Sequence, residues 1–332
     1  MSPSLPPISV LIPTFNEENF IKECLFSLVN GNYPTNLLEI IVIDGGSNDN
    51  TVEYIKTLSK SHTFIKCLHN PKKIVPSSMN IGLKKAKNDI VIRADAHALY
   101  DENYLVQSVL TLLEENCASV GGVITPIAKT VTGKAIAVAT TSKFGIGNAK
   151  YRYAKKRQSV DTVFAGCWKK QNVEKIGGFN ENWVRNQDYE LNCRLRAEIG
   201  KIILNPNIKC QYYCRETIPS LFKQYFSYGF WRFYTFRQHP SSFTVRQAAP
   251  LLLLLGLIVS TLLCLYSVKL GLVIPATYVC ANIIASLQLS LKNKNLKLLG
   301  LLPIIFMTLH LSWALGFTKS AIQSAFKNIK NQ

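Results

Sequence analysis

Charged side chains recur at the ends of four predicted strands in the N-terminal part of the chain. Glu17 follows the first apolar strand, Asp44 ends the second, a pair of lysines follows the third, and Asp95 and His97 end the fourth. Asp and Glu are rarely left unpaired beside buried strands. A bound polar ligand would satisfy these carboxylates, and the lysines could offset negative charge on it. The spacing therefore predicts one ligand-binding edge with charges of both signs.

Short apolar runs that alternate with helical patterns must position these side chains. The runs are continuous rather than alternating, which is typical of parallel strands covered on both faces. In such sheets, ligands bind beyond the carboxyl ends of the strands. The sequence predicts an α/β fold with a mostly parallel sheet and helices on both faces. The predicted strands are Ile8–Ile12, Leu38–Ile43, Phe64–Leu68 and Asp89–Ala94, and the helices between them are Asn19–Val29, Asn50–Leu58 and Ser77–Ala86.

Five motifs come in an order and spacing that resemble the family-2 glycosyltransferases, which have the GT-A fold. The resemblance covers about residues 8 to 235, and more narrowly it extends to bacterial membrane-bound exopolysaccharide glycosyltransferases of the succinoglycan type. Each motif alone is a weak signal, but five in order are specific. The motifs are Ile12-Pro13-Thr14-Phe15-Asn16-Glu17, the run from Val42 to Thr51, Asn80-Ile81-Gly82, Asp95-Ala96-His97 and Gln187-Asp188-Tyr189-Glu190.

The resemblance implies a nucleotide-sugar site at the predicted edge, with a UDP- or GDP-sugar as the expected donor. Glu17 and Asp44 stand where the family contacts the nucleoside. Two structural alternatives remain open: Glu17 as a solvated charge at a helix N-terminus, and Asp44 as a turn residue before two glycines. The residues expected at the donor are Pro13, Thr14, Glu17, Asp44, Asn80 and Asp95.

Asp95-Ala96-His97 occupies the family's Asp-x-Asp position, where a carboxylate holds a divalent cation against the donor diphosphate. Mg²⁺ and Mn²⁺ suit such a site because they prefer hard oxygen ligands and phosphate. His97 replaces the second Asp of the motif. We expect a Mg²⁺ or Mn²⁺ cofactor at Asp95, with His97 either a ligand or a hydrogen-bond partner of phosphate or water.

Asp188 is the catalytic base that the resemblance implies. An inverting transfer is a single displacement, so the enzyme must remove one proton from the acceptor and stabilise one leaving group. The family often has Glu-Asp at this position, and Gln187 replaces the Glu here. The alternative is that Asp188 is a surface charge in a helix that runs to Arg196.

Four residues resemble parts of the family's acceptor side. Trp168 could stack on a sugar face or fill the core. Gln224, Trp231 and Arg232 lie where related membrane enzymes have a Gln-x-x-Arg-Trp element, although the spacing here differs. An aromatic-rich amphipathic helix on the membrane surface is an equal alternative for this segment.

Three apolar stretches follow Arg246: residues 248–266, 271–291 and 298–317. Each has about 20 residues, enough to cross a hydrocarbon core of roughly 30 Å as a helix. Buried helices of a soluble core are the alternative, and Pro275, Asn282 and Gln288 weaken the second stretch. The predicted domains are a GT-A domain at 1–235, an interfacial link at 236–247 and a membrane tail at 248–332.

The charges around these stretches predict an orientation in the membrane. Arginines precede the first stretch, and three lysines separate the second from the third, which is the positive-inside pattern. The N-terminus has no signal-like segment, and the nine cysteines show no paired spacing, which favours a reducing compartment. We expect a multi-pass protein of a bacterial-type inner membrane with a cytoplasmic catalytic domain. The net charge of +18 then favours anionic lipid and diphosphate over nucleic acid.

The expected function is an inverting transfer from a nucleotide-diphosphate donor to a lipid-linked saccharide, in the synthesis of a cell-surface or exopolysaccharide. One alternative keeps the chemistry but uses polyprenyl phosphate as the acceptor. Another is a membrane protein that binds a nucleotide sugar without turnover. His97 and Gln187, which depart from the family's motifs, favour that second alternative.

Overall fold

The computed structural model describes residues 5–330, except for the side chains of Val245 and of residues 327–330. The chain divides into two compact units. Among the described residues, the first contains 5–125 and 150–213, and the second contains 126–149 and 214–330. The predicted domain boundary at residue 235 therefore differs from the division between the units, because residues 214–235 group with the C-terminal helices.

Strands alternate with helices in the N-terminal part of the chain, and the last strand is followed by a series of helices. The strands are β1 (Ile8–Thr14), β2 (Leu38–Asp44), β3 (Ile65–His69), β4 (Ile90–Arg93), β5 (Ala98–Tyr100), β6 (Ser119–Ile127), β7 (Gln158–Val160), β8 (Gly166–Lys169) and β9 (Ile202–Tyr213). The helices are α1 (Ile21–Val29), α2 (Thr51–Ser61), α3 (Val75–Lys85), α4 (Tyr104–Glu115), α5 (Val131–Ala139), α6 (Lys143–Ile146), α7 (Lys170–Lys175), α8 (Gln187–Glu198), α9 (Ile218–Gln238), α10 (Val245–Tyr266), α11 (Val268–Gly271), α12 (Val273–Lys292) and α13 (Leu302–Lys330). Short 3-10 turns lie at Thr35–Leu37, Lys150–Arg152, Pro240–Ser242 and Leu296–Gly300.

Within residues 5–330, the nine strands form one sheet in the order β3-β2-β1-β4-β8-β6-β9-β5, and β7 pairs with β9. Strands β1 to β4 are parallel, as predicted. Strand β8 pairs antiparallel with β4 and β6, and β9 pairs antiparallel with β5 and β7. The sheet as a whole is therefore mixed, and its antiparallel half was not foreseen, because those strands are short or interrupted by polar residues.

Helices cover both faces of the parallel strands, which confirms the predicted layers. Successive side chains of a strand point to opposite faces, so Val10 and Ile12 of β1 belong to one core cluster and Leu11 to another. Helices α1, α2 and α4 contribute to the first cluster, and α3 and α8 to the second. The carboxyl ends of β1 to β4 are thus held on a rigid frame.

In the second unit, α9 and α13 touch backbone to backbone at two glycines. A Cβ atom on Gly229 would lie 1.9 Å from the Trp313 carbonyl oxygen, and one on Gly316 would lie 2.0 Å from the Phe226 carbonyl oxygen. Such distances are far below van der Waals contact, so glycine is required at both positions. Helix α13 is therefore packed closely along the aromatic-rich α9.

Two helical segments in the described part of the chain are long and apolar enough to cross a membrane, namely Arg246–Tyr266 and Val268–Lys292. They correspond to the first two predicted spans, and most of their side chains are not buried within the protein. The third predicted span, 298–317, overlaps α13 and is not among them. Polar residues interrupt that helix, and Ser312 and Ser320 are fully buried in it.

Candidate functional site

Pro13 and Thr14 form the end of β1, level with the end of β2. Thr14 is opposite Asp44 in the parallel register, and the Gly45 N–H donates to the Thr14 carbonyl at 2.8 Å. Thr14 is buried, and its hydroxyl donates to the Ile12 carbonyl at 3.2 Å. Thr14 therefore anchors the loop that follows β2, and the predicted donor contacts of Pro13 and Thr14 stay predictions.

The loops after β1 and β2 are bound to each other by side chains. The Asn16 N–H donates to Ser47 Oγ at 2.8 Å, and the Asn48 N–H donates to Asn16 Oδ1 at 3.0 Å. The Glu17 N–H donates to Thr51 Oγ1 at 2.8 Å. Asn16 has a φ of +53°, a conformation that Asn adopts more readily than most residues. The two motifs therefore form one rigid edge.

The Asp44 carboxylate accepts hydrogen bonds from its own loop. Oδ2 accepts from the Gly46 N–H at 2.8 Å and from the Ser47 N–H at 3.0 Å, while Oδ1 accepts from the Ser47 hydroxyl at 2.5 Å. These contacts match the turn role that was left open for Asp44. The nucleoside contact stays a prediction.

Glu17 lies beside His97, which links the predicted nucleoside contact to the predicted metal site. Glu17 Oε1 is 3.0 Å from His97 Nδ1. In the tautomer with the proton on Nδ1, the His97 imidazole donates to Glu17. The Nε2 lone pair then lies on the opposite side of the ring from Glu17. Metal-binding histidines commonly have such a carboxylate partner, so the pair is compatible with His97 as a ligand.

Asn80 binds the loop that precedes α8. Its side-chain amide donates to the Phe179 carbonyl at 2.9 Å and to Glu181 Oε1 at 3.1 Å, and its Oδ1 accepts from the Phe179 N–H at 2.8 Å. Lys72 pairs with Glu181 at 2.6 Å and is the main cause of the lowered pKa of that carboxyl. Asn80 therefore positions a loop beside the site, and its predicted donor contact stays a prediction.

Arg93, which was not predicted, joins Asp95 to Asp188. It ends β4 and is 4% exposed. Its Nε donates to Asp95 Oδ1 at 2.9 Å, its Nη2 lies 2.8 Å from the same oxygen in an ion pair, and its Nη1 donates to Asp188 Oδ1. A charged residue at the end of the apolar run that leads to Asp95 was the available signal. The structure thus brings together two carboxylates from distant motifs.

The surroundings of Asp188 make it a stronger base than an ordinary Asp. Burial raises the pKa of its carboxyl to about 6, Arg93 opposes the rise, and Asp95 adds to it. About a quarter of the side chain, 24%, still reaches solvent, which moderates the effect of burial. Burial also disfavours the charged form of Arg93, but the two carboxylates outweigh this, and its net pKa shift is upward. The guanidinium therefore stays charged.

The donor atoms present fit a divalent cation shared with a diphosphate. Both Arg93 contacts go to Oδ1 of Asp95, and Oδ2 accepts no hydrogen bond within residues 5–330. The described residues contain no cluster of three or more His, Cys, Asp or Glu side chains that could hold a metal alone. Mg²⁺ and Mn²⁺ are commonly held by one or two carboxylates plus phosphate oxygens and water. Asp95 Oδ2 and His97 would be the protein's contribution.

Trp168 lies inside the first unit. It is 1% exposed and packs edge-on against Phe179, with 6.1 Å between ring centroids. The structure thus favours the core alternative for this residue over contact with an acceptor sugar.

The other three acceptor-side residues belong to α9 in the second unit. Gln224 Nε2 donates to the Tyr228 hydroxyl at 3.1 Å, and Arg232 Nη2 donates to the Ser242 carbonyl at 2.6 Å. Trp231 lies 5.7 Å from the Tyr234 ring. These contacts fit the aromatic helix described as the alternative, and an acceptor role for these residues stays a prediction.

Comparison with known proteins identifies the family. Residues 9–173 match the family described as glycosyl transferase family 2. A Methanococcus voltae protein is 31% identical over 96% of this chain and 99% of its own length. The chain belongs to glycosyl transferase family 2. The relative's name is dolichyl N-acetyl-alpha-D-glucosaminyl phosphate 3-beta-D-2,3-diacetamido-2,3-dideoxy-beta-D-glucuronosyltransferase.

This family-2 glycosyltransferase is also similar to the succinoglycan biosynthesis protein ExoA of Rhizobium meliloti, at 27% identity over 94% of each chain. Among solved structures, the mannosyltransferase PcManGT from Pyrobaculum calidifontis, in complex with GDP-Man and Mn²⁺, aligns with a TM-score of 0.64. That alignment covers 95% of this chain and 88% of the other at 16% identity, so it shows the fold alone. The predicted family, GT-A fold and enzyme class are confirmed.

Proposed function

We propose that this glycosyltransferase moves a sugar from a nucleotide-diphosphate donor to a lipid-linked saccharide, with inversion at the anomeric carbon. The observation that carries the proposal is the pair of carboxylates joined by Arg93. Arg93 contacts only Oδ1 of Asp95, which leaves Oδ2 for the donor and its cation. The pKa of Asp188, which Arg93 also contacts, is raised to about 6. A base with a pKa closer to the working pH transfers protons efficiently.

The reaction forms one bond and breaks one bond at the same carbon. The acceptor hydroxyl oxygen attacks the anomeric carbon, the bond to the diphosphate oxygen breaks, and the nucleoside diphosphate leaves with the electron pair. Asp188 accepts the hydroxyl proton as the new bond forms. Asp95 would hold a divalent cation, which would supply positive charge for the leaving diphosphate. These tasks are divided between Asp188, in the first turn of α8, and Asp95, just after β4.

The names of similar proteins support the choice of substrates. The Methanococcus voltae relative is named for a dolichyl-linked sugar phosphate acceptor, and PcManGT was solved with GDP-Man and Mn²⁺. A lipid carrier suits a chain with two apolar helices. We therefore propose a polyprenol-type lipid-linked saccharide as the acceptor and a UDP- or GDP-sugar as the donor.

Transfer to a lipid extract tests the acceptor class. Detergent-solubilised protein is incubated with labelled UDP- and GDP-sugars, Mn²⁺ and lipid-linked saccharides. The expected product is a lipid-linked saccharide. Mild acid should release the saccharide from its lipid carrier but leave the new glycosidic bond between the sugars intact. If mild acid instead releases the label as a free monosaccharide, the acceptor is polyprenyl phosphate. Donor binding without transfer or hydrolysis under any acceptor supports the non-catalytic alternative and contradicts the proposal.

The raised pKa of Asp188 predicts acid sensitivity of turnover. A base must be deprotonated to act, so kcat should fall about ten-fold for each pH unit below a pKa of about 6. For a solvated Asp, with a pKa of about 3.9, that loss would begin roughly two units lower. The measurement is kcat against pH at saturating substrates, with donor binding followed at each pH. A flat kcat down to pH 5 contradicts the assignment.

We further propose that the membrane segment crosses twice, with the catalytic domain in the cytoplasm. Helices α10 and α12 would form a hairpin whose outer turn has Lys269, while Lys292, Lys294 and Lys297 follow it on the inner side. This arrangement also places the lysines of the C-terminal tail inside. We retain 1–235, 236–247 and 248–332 as the proposed catalytic, interfacial and membrane segments.

Cysteine labelling from outside the cell tests this topology. In a Cys264→Ser, Cys280→Ser background, an impermeant maleimide should label Lys269→Cys in intact spheroplasts. Lys294→Cys and Lys319→Cys should react only after permeabilisation. Labelling of Lys319→Cys from outside indicates that the third predicted span, 298–317, also crosses. Protection of Lys269→Cys contradicts the hairpin.

A further inference from the structure

Arg93 lies on a central strand of the sheet, which fixes its position. Its strand β4 lies between β1 and β8, and in the two registers Arg93 is opposite Leu11 and Gly166. Strand pairing on both sides fixes the Cα position, and the side chain is 5% exposed. The guanidinium therefore has little freedom to move.

Asp188, by contrast, depends on this one partner. It lies at the start of α8, directly after a loop in which Asn186 has a φ of +58°. Arg93 Nη1 donates to Asp188 Oδ1, and no other described residue hydrogen-bonds or ion-pairs with that carboxylate. The orientation of Asp188 is therefore set by an arginine on the sheet rather than by its own helix.

The contacts leave each carboxylate with one oxygen for other partners. Arg93 engages Oδ1 of Asp95 through Nε and Nη2, and Oδ1 of Asp188 through Nη1. A guanidinium is planar and rigid, so a contact to each of two carboxylates fixes the distance between them. The two Oδ2 atoms would then face the donor and the acceptor at a fixed separation.

We infer that Arg93 is a positioning residue that holds the base Asp188 at a set distance and orientation from the donor-binding Asp95. The inference rests on the proposed function, because it assigns Arg93 no contact with substrate and lets it act only through the two carboxylates. In a displacement, the base must meet the acceptor proton while the donor is in place, and small displacements of a catalytic group can cost large factors in rate.

A double-mutant cycle on kcat tests whether Arg93 acts through Asp188. At saturating donor and acceptor, Arg93→Met should lower kcat by about ten-fold or more. With Mn²⁺ also saturating, so that the Asp95 side stays occupied, the double variant Arg93→Met, Asp188→Asn should be no slower than Asp188→Asn alone, since a misplaced base costs nothing once the base is absent. Effects that multiply in the double variant would overturn the inference.

Arg93→Lys covers the case in which Arg93→Met does not fold. It keeps the buried positive charge but cannot reach both carboxylates as a planar fork, so kcat should fall while the melting temperature stays close to that of the wild type. A matched control is Arg157→Lys, which changes an exposed arginine in the same unit that likewise contacts two carboxylates, Glu114 at 2.9 Å and Glu115 at 3.3 Å. Its kcat should not change. Wild-type kcat in Arg93→Lys would overturn the inference.

The cycle also separates failure of the inference from failure of the proposed function. Normal turnover in Asp188→Asn alone would remove Asp188 as the base, and with it the proposed mechanism and the positioning role of Arg93, but it would leave the transfer reaction itself in place. A large loss in Asp188→Asn, combined with effects of Arg93→Met that multiply, would leave the base in place and remove only the positioning role.

Discussion

Asp188→Asn should lower turnover by a factor of about 10² or more while donor affinity stays close to that of the wild type. Asn preserves the size of the side chain but cannot accept the acceptor proton. Because Asp188 contacts Arg93 and not the donor-side oxygen of Asp95, the donor site should be little changed. The measurement pairs kcat at saturating substrates with a donor dissociation constant from thermal-shift titration.

Folding must be checked in the same variant, since Asn leaves Arg93 with a single charged partner, and unpaired buried charge destabilises proteins. Asp101→Asn is a suitable control, because Asp101 is an exposed loop carboxylate in the same unit. Its turnover should match the wild type. Near-normal turnover in Asp188→Asn with a normal melting curve would exclude Asp188 as the base.

Asp95→Asn should weaken donor binding and its metal dependence together. The change removes a negative charge and an oxygen ligand from the side that is not occupied by Arg93. Loss of even an outer partner of a metal site typically costs about 10- to 100-fold in affinity, so donor affinity should fall by about ten-fold or more. In the wild type, chelation should abolish turnover, and added Mn²⁺ or Mg²⁺ should restore it.

The measurement for Asp95 is a donor titration at several Mn²⁺ concentrations in wild type and variant. The variant should show weaker donor binding and little response to the metal. Unchanged affinity with an unchanged metal response would place the cation elsewhere. Equal loss of donor binding in Asp95→Asn and Asp188→Asn would place Asp188 in the donor site.

Local patterns were sufficient to predict the parallel half of the fold. The runs at β1, β2 and β4 are continuous and apolar because both faces of these strands are covered, and the polar residues just beyond them mark the ligand edge. The spacing of the motifs then led to the family and to the choice of Asp95 and Asp188. These features depend on neighbouring residues in the chain, so sequence alone carries them.

Contacts between distant residues could not be predicted in the same way. Arg93 and Asp188 come into contact only when the chain folds, and nothing in their spacing along the sequence indicates that they pair. Asn80 resembles a donor-site residue but binds the loop at Phe179, and Trp168 is directed into the core. A residue type indicates what a side chain can do, whereas its direction depends on packing.

The C-terminal part shows the same limit at the level of whole helices. Three stretches have the length of a membrane span, yet only two of the corresponding helices in the described residues are apolar enough to cross. Helix α13 packs along α9 through Gly229 and Gly316, and the third span stays a prediction. A single glycine on each of two helices that are far apart in the chain does not indicate that the helices touch. Likewise, nothing in the sequence of residues 126–149 indicated that they belong to this unit.

The configuration of the newly formed glycosidic bond tests the central claim most directly. The protein is supplied with an α-linked nucleotide sugar and its lipid-linked acceptor, and the anomeric proton coupling of the product is measured by NMR. A single displacement assisted by Asp188 predicts a β-linked product from the α-linked donor. An α-linked product would show retention of configuration and would contradict both the single displacement and the role of Asp188 as its base.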